Sequence, residues 1–211
     1  MLRDLIVGPH QISFDITNKC NLRCLHCYNS SGENLASQNE LTDQEVLDFI
    51  DEFKSIKLLN FCFCGGEPLL RKELIVEAAK RLRTYGCENV AMVSNGILMT
   101  DEVIEELINA GVTRIQISLD GIKAESHDRI RNKKGVYEKA TRAIEALVKH
   151  GVDTAVAFTP TSFNISELRA VRDYLHTVGI SGTSLRVQPL MIMGRASQNV
   201  KAIEATKDQY R

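Results

Sequence analysis

Residues 12–28 read ISFDITNKCNLRCLHCY, a short apolar run followed directly by three cysteines. Cys20, Cys24 and Cys27 have the spacing C-x-x-x-C-x-x-C, which brings three sulfurs onto one short loop. Such a loop can hold three corners of a cubic iron–sulfur cluster and leave the fourth iron without a protein ligand. Because catalytic metal centres keep an open position while structural sites fill every position, the spacing predicts a reactive metal centre.

These cysteines have two other interpretations. Zinc accepts three thiolates and one imidazole, so Cys20, Cys24, His26 and Cys27 form an alternative ligand set, although adjacent His26 and Cys27 make tetrahedral ligation awkward. Ordinary buried or disulfide-bonded cysteines are the second alternative. The sequence shows no secretory signal, with no apolar run behind a basic start. We therefore expect a reducing, cytoplasmic location.

Composition sets the outer limits. The chain has 211 residues, of which 44% are hydrophobic and 25% charged, as in an ordinary globular protein with one sizeable core. Lys plus Arg number 26 against 27 for Asp plus Glu, and this balance gives no reason to expect nucleic-acid binding. No apolar run approaches the roughly 20 residues that cross a bilayer, so no membrane partner is expected.

Short runs rich in Val, Ile and Phe alternate with longer segments of helical period, which predicts strand–helix units around a parallel sheet. Thr42 and Glu45 have the spacing of a capping box at one helix start. The predicted strands are residues 12–17, 60–64, 89–94, 114–119, 154–159 and 184–190, and the predicted helices are residues 42–57, 71–85, 101–110, 136–150 and 166–178. Closing the common barrel takes more units than this, so we predict an α/β fold, a partial (β/α)6 TIM-like barrel with parallel strands.

The last stretch, residues 201–211, has helix-forming composition but no glycine cap or proline to end a helix. This predicts a C-terminally truncated piece of a longer protein. A natural chain end that frays in solvent is the alternative.

Polar clusters follow several predicted strands, at the edge where parallel strand–helix folds place their chemistry. They are Gly65-Gly66-Glu67-Pro68, Ser94-Asn95-Gly96 and Ser118-Leu119-Asp120-Gly121. The glycine pair lets a ligand approach the backbone closely and suits an amine bound by main-chain carbonyls and the Glu67 carboxylate. A plain tight turn is the alternative for this segment.

The cysteine motif and these three clusters, in this order on successive strands, resemble the core of the radical S-adenosylmethionine (SAM) enzymes. The resemblance covers nearly the whole chain and implies one radical SAM core domain over residues 1–211. It implies that Cys20, Cys24 and Cys27 hold a 4Fe-4S cluster, and that the methionine amine and carboxylate of SAM chelate the open iron. Reductive cleavage of SAM would then give a 5'-deoxyadenosyl radical that abstracts a hydrogen atom.

The resemblance also assigns SAM contacts. His26 holds the position before the third cysteine, where a planar ring packs by the adenine. Gly66 and Glu67 would receive the methionine amine, and Ser118 would bond the ribose or the carboxylate.

Arg131, Ser94 and Asn95 each have two interpretations. Arg131 is a candidate for pairing the SAM carboxylate bidentately; a solvated basic loop is the alternative. Ser94 and Asn95 would line the substrate side, or form a common polar turn.

Cys62 and Cys64 share one face of a predicted strand and are interpreted as small buried hydrophobic residues.

The segment Leu190-Met191-Ile192-Met193-Gly194-Arg195-Ala196 is similar to one in SPASM-type members, which modify peptides or proteins and carry a cysteine-rich C-terminal extension. A peptide or protein substrate is therefore expected, with a one-electron donor such as flavodoxin or ferredoxin. A step in molybdopterin, haem or quinone cofactor biosynthesis is the alternative within the family. Outside it, a zinc-binding structural module and a phosphate-binding barrel enzyme remain.

Overall fold

The computed structural model describes residues 8–33 and 39–210. Its single sheet has six parallel strands in sequential order, each hydrogen-bonded to the next along the chain. The strands are β1 (Gln11–Asp15), β2 (Asn60–Cys64), β3 (Asn89–Ser94), β4 (Arg114–Ser118), β5 (Asp153–Phe158) and β6 (Leu185–Val187). This open sheet confirms the predicted partial (β/α)6 TIM-like architecture.

Helices connect consecutive strands, as parallel pairing requires. They are α1 (Asp43–Asp51), α2 (Lys72–Thr84), α3 (Asp101–Ala110), α4 (Ala124–Arg131), α5 (Val136–Lys149) and α6 (Leu168–Thr177), while α7 (Gly194–Ile203) follows β6. The predicted capping box is confirmed, because the Thr42 side chain accepts from the Glu45 amide and the Glu45 carboxylate accepts from the Thr42 amide. Within the described ranges, no helix has the length and apolar character that crossing a bilayer needs.

The main core lies between the sheet and the helices that cover its outer face. On β2, Phe61 and Phe63 are fully buried, whereas Cys62 and Cys64 alternate with them and are only partly buried. Because side chains alternate across a strand, the two cysteines share the other face of the sheet, where Cys64 lines a cavity. The prediction that both cysteines are buried hydrophobic residues is therefore wrong.

Three other boundaries differ from the prediction. Helix α4 occupies a segment that was expected to be a basic loop. The helix was not predicted because only Ala124 and Ile130 in it are apolar, so the segment has no hydrophobic period. Strand β6 is shorter than residues 184–190, since Pro189 has no amide hydrogen to continue the ladder.

The helix expected over residues 201–211 is also wrong. Helix α7 begins earlier and ends at Ile203, and Lys207–Tyr210 form a separate 3-10 turn. Arg211 lies outside the described residues.

Candidate metal and cofactor site

A cavity of about 650 Å³ opens at the carboxyl edge of the parallel strands. All three motif cysteines line it, together with the glycine pair after β2 and polar residues that follow β3 and β4. The predicted site residues on its wall are Cys20, Cys24, His26, Cys27, Gly66, Ser94, Asn95, Ser118 and Arg131. The structure thus brings together every predicted site residue except Glu67.

Each of the three cysteine sulfurs contacts its own hydrogen-bond donor. The amide of Leu22 donates to Cys20 Sγ at 3.4 Å, and the amide of Ser31 donates to Cys27 Sγ at 3.4 Å. Burial raises the pKa of the Cys24 thiol to about 11 and also raises the pKa of Cys20. A thiol of raised pKa keeps its proton until a metal displaces it, since the thiolate is the ligand form.

The thiols fit a cluster better than a single ion. In the part of the chain that the structure describes, no group of three or more His, Cys, Asp or Glu side chains converges on one point. A zinc site needs such convergence, because its four donors surround one ion. A 4Fe-4S cluster does not, because each cysteine binds a different iron.

The glycine pair packs against the chain that leads into the cysteine loop. The amide of Gly66 donates to the Thr17 carbonyl at 2.8 Å, and the amide of Glu67 donates to the Lys19 carbonyl at 2.9 Å. A Cβ on Gly66 would lie 2.2 Å from the Lys19 carbonyl oxygen. Gly65 has a φ of +131°, which other residues rarely adopt. Close backbone approach therefore explains both glycines, and a plain turn does not.

Glu67 lies behind the cavity wall and is fully buried. Its carboxylate accepts from the Ser94 hydroxyl at 2.8 Å, the Asn95 amide at 2.8 Å and the Leu69 amide at 3.3 Å. These donors occupy the carboxylate that the sequence assigned to the methionine amine. Ser94 and Asn95 have two roles, because they donate hydrogen bonds to Glu67 and also line the cavity.

His26 lies on the cavity wall beside Asp120, which is buried behind it. The His26 ring is 10% exposed, and its Nε2 lies 3.5 Å from Asp120 Oδ2. Burial lowers the pKa of His26 to about 4, so the ring is neutral near pH 7. Its Nδ1 has no hydrogen-bond partner among the described residues. A neutral, planar ring on the cavity wall suits the expected contact with adenine.

Arg131 is buried at the end of α4 and is not part of a solvated basic loop. Its Nη2 pairs with Asp120 Oδ2 at 2.5 Å, and its Nη1 lies 3.8 Å from Cys24 Sγ. Burial is the largest single effect and would raise the pKa of Asp120, but the Arg131 guanidinium, the two neighbouring histidines and the Thr159 amide together outweigh it, and the pKa is lowered. Arg131 Nε is without a hydrogen-bond partner within the described ranges, which leaves one donor for a bound carboxylate.

Sequence reasoning missed the contribution of α7 to the cysteine loop. The Arg195 guanidinium donates to the carbonyls of Cys24 at 3.1 Å and Ser31 at 3.0 Å. A Cβ on Gly194 would lie 2.4 Å from the Tyr28 carbonyl oxygen, so the start of α7 lies directly against this loop. The only available signal was the similarity of residues 190–196 to a family segment.

Comparison with known proteins agrees with this geometry. A profile described as the radical SAM superfamily matches residues 14–175. The AdoMet-dependent heme synthase of Methanosarcina barkeri is 36% identical over 76% of this chain and 45% of its own length. The mycofactocin maturase MftC of Mycolicibacterium smegmatis is 31% identical over 97% of this chain and 50% of its own length. The chain therefore spans about half the length of these relatives.

Solved structures share the fold. Streptococcus suis SuiB bound to S-adenosylmethionine superimposes with a TM-score of 0.74 at 13% identity, covering 89% of this chain and 42% of SuiB. The anSMEcpe structure with bound AdoMet has a TM-score of 0.72 at 21% identity, covering 86% of this chain and 49% of its own. At such identities the likeness establishes the architecture only. The family match over residues 14–175 covers more than half of the chain and establishes the family: this chain belongs to the radical SAM superfamily, whose cofactors are a 4Fe-4S cluster and S-adenosylmethionine.

Proposed function

We propose that the chain is the cofactor-binding core of a radical SAM enzyme that modifies a peptide or protein substrate. When bound, the cluster and SAM supply reductive cleavage of SAM to methionine and a 5'-deoxyadenosyl radical. A flavodoxin- or ferredoxin-type protein would donate the electron. A cytoplasmic location is part of the proposal and is supported by the six cysteines, all of which are free thiols in the structure.

One observation carries the proposal. Cys20, Cys24 and Cys27 line the same cavity; Cys64 also lines it, but its thiol donates to Cys62 Sγ at 3.5 Å. A cluster held by the three motif thiols would leave its fourth iron without a ligand from the motif. In this arrangement the protein positions the cofactors and excludes water, while the cofactors supply the chemistry.

The cavity wall supports specific SAM contacts. We assign the adenine to the neutral His26 ring, the methionine amine to the backbone at Gly66, and the ribose or carboxylate to Ser118. Arg131 Nε, a buried donor without a partner among the described residues, is assigned to the carboxylate. The three donors on the Glu67 carboxylate give Glu67 an indirect role, in which it holds the loop after β3 against the glycine pair.

The peptide substrate is supported by relatives. MftC is named a mycofactocin maturase and is 31% identical over 97% of this chain. SkfB is named a sporulation killing factor maturation protein and is 29% identical over 93% of this chain. A haem-type substrate is the second candidate, because the heme synthase of M. barkeri is 36% identical over 164 residues. The expected cysteine-rich extension stays a prediction.

The cluster is tested first. Anaerobic reconstitution should give a brown protein with about four irons and four sulfides per chain. Adding SAM and dithionite should then release 5'-deoxyadenosine. Cys24→Ala should abolish both signals, whereas Cys87→Ala should leave both unchanged, because Cys87 is buried away from the cavity and contacts the Asn89 carbonyl. A colourless protein that retains zinc would refute the proposal.

The substrate class is tested separately. Candidate precursor peptides with deuterated side chains are added to the reconstituted protein, and deuterium transfer into 5'-deoxyadenosine is measured by mass spectrometry. Transfer from a peptide supports the proposal. A Soret-band shift on adding an iron porphyrin, together with no deuterium transfer from any peptide, would favour the haem-type alternative.

A further inference from the structure

Asp120 is the third residue of the Ser118–Gly121 motif, yet no site role was assigned to it from the sequence. It is fully buried and lies between two residues of the cavity wall. One carboxylate oxygen pairs with Arg131 Nη2 at 2.5 Å and lies 3.5 Å from His26 Nε2. Arg131 in turn reaches Cys24 Sγ at 3.8 Å. A continuous polar chain therefore links Asp120 to one of the three cluster cysteines.

The position of Asp120 is fixed from three sides. Its other carboxylate oxygen accepts from the Thr159 amide at 2.9 Å, and its own amide donates to His127 Nδ1 at 3.0 Å. The Asn164 side chain donates to the Asp120 carbonyl at 2.7 Å. With backbone and side chain both held, the carboxylate has little freedom to follow a moving guanidinium. Arg131 is thus anchored to a rigid point.

A buried ion pair is weak support for stability by itself, because removing two charges from water costs about as much as their attraction returns. A third charge changes that balance. When Cys24 binds iron it is a thiolate, and the guanidinium then lies between two anions. Charged donors make the stronger hydrogen bonds. The arrangement therefore fits the metal-bound state of Cys24 better than the free thiol.

We propose that Arg131, held in place by Asp120, donates a charged hydrogen bond to the iron-bound sulfur of Cys24 and so raises the reduction potential of the cluster. The inference rests on the proposed function in taking Cys24 as a cluster ligand. Hydrogen bonds to the cysteine sulfurs are one of the factors that set cluster potentials. The direction follows from charge, since reduction adds one electron and a cationic donor stabilises the reduced form more than the oxidised form. Asp120 is a positioning residue here.

The test is the midpoint potential of the reconstituted cluster in the absence of SAM, measured by a dye-mediated titration followed by EPR. Leaving SAM out removes any effect of Arg131 on the SAM carboxylate. Arg131→Met should shift the equilibrium toward the oxidised cluster by roughly tenfold, about 59 mV for a one-electron couple. Arg129→Met on the same helix is the matched control and should cause no shift, because Arg129 is exposed and lies over the Phe163 ring.

The positioning role has its own readout. The reduced wild-type cluster should show an exchangeable proton coupling by ENDOR that disappears in D₂O and in Arg131→Met. Asp120→Asn should weaken or remove the same coupling, because the guanidinium loses its charged anchor. A coupling that persists unchanged in Asp120→Asn overturns the role of Asp120.

Different failures have different meanings. If wild-type protein binds no cluster, the proposed function fails. If wild type and Arg131→Met hold equal iron and sulfide but share one midpoint potential, only this inference fails. Should Arg131→Met not fold, the uncharged Arg131→Gln replaces it, and an unchanged midpoint potential in that variant would overturn the proposal.

Discussion

Arg195→Met should loosen the cysteine loop without touching any cysteine. The Arg195 guanidinium donates to the Cys24 and Ser31 carbonyls at 3.1 and 3.0 Å and pairs with the Glu33 carboxylate at 2.6 Å. Arg195 is only 8% exposed, so these bonds are shielded from water. Methionine keeps most of the apolar stem but removes all donors.

The size of the effect follows from the kind of bond lost. A hydrogen bond from a charged group contributes about 1.5 to 3 kcal/mol, and two such bonds reach buried carbonyls. The pair with Glu33 adds little, because the Glu33 side chain is 47% exposed and such pairs contribute about 0 to 1 kcal/mol. We expect the free energy of unfolding to fall by about 3 to 6 kcal/mol, the sum of the two bonds. Domains have total stabilities of about 5 to 15 kcal/mol, so this loss is a large fraction of the whole and is readily measured.

Two measurements check this expectation. Urea unfolding of the cluster-free protein, followed by circular dichroism, gives the loss of stability. Anaerobic release of iron to a chelator then reports loop opening, and 3 kcal/mol corresponds to roughly 100-fold faster release at about 1.4 kcal/mol per factor of ten.

The matched control is Arg172→Met. Arg172 makes its ion pair on the surface of α6, where its side chain is 59% exposed, and its loss should change neither measurement. If Arg195→Met behaves like this control in both assays, α7 does not hold the cysteine loop and the reasoning is wrong.

Two further substitutions test the close backbone contact at Gly66 and the burial of His127. Gly66→Ala should prevent cluster assembly, measured as iron per chain, because its Cβ would lie 2.2 Å from the Lys19 carbonyl; Gly182→Ala, with nothing within 4 Å, should load normally. Burial, and after it the nearby Arg131 guanidinium, lower the pKa of His127 from 6.5 to about 4. The neutral ring therefore contributes stability that is full above about pH 6.5 and is lost as the pH falls toward 4, by about 3 kcal/mol. Urea midpoints between pH 7 and 4 should fall less steeply in His127→Gln, and equal slopes in the two proteins would contradict this assignment.

The strands were predictable because their signal is local. Residues 60–64 and 89–94 match β2 and β3 at both ends, since a run of apolar residues between polar turns specifies a buried strand without any information from elsewhere. The cysteine motif was readable for the same reason, because its spacing is a property of one short loop. The capping box of α1 also lies within four residues.

Contacts between distant segments were not predictable. Arg195 meets the Cys24 carbonyl across 171 positions of sequence, and nothing in either segment marks the other as its partner. The Glu67 carboxylate was assigned to a ligand because a single sequence cannot show that Ser94 and Asn95, 27 and 28 positions later, supply donors to it. The residue type indicated chemistry, and the fold decided which partner it met.

Helix α4, which carries site residues, was not predicted from the sequence. Its buried residues are Ser126, His127, Ile130 and Arg131, which follow the helical period closely. Only Ile130 among them is apolar, so a search for hydrophobic period finds no helix there. The other three face inward because a polar cavity and a buried carboxylate need donors and a cation, which apolar side chains cannot supply. A helix whose buried face lines a polar site has no hydrophobic period, so hydrophobic patterning does not detect it. Sequence rules based on core packing therefore fail at functional sites.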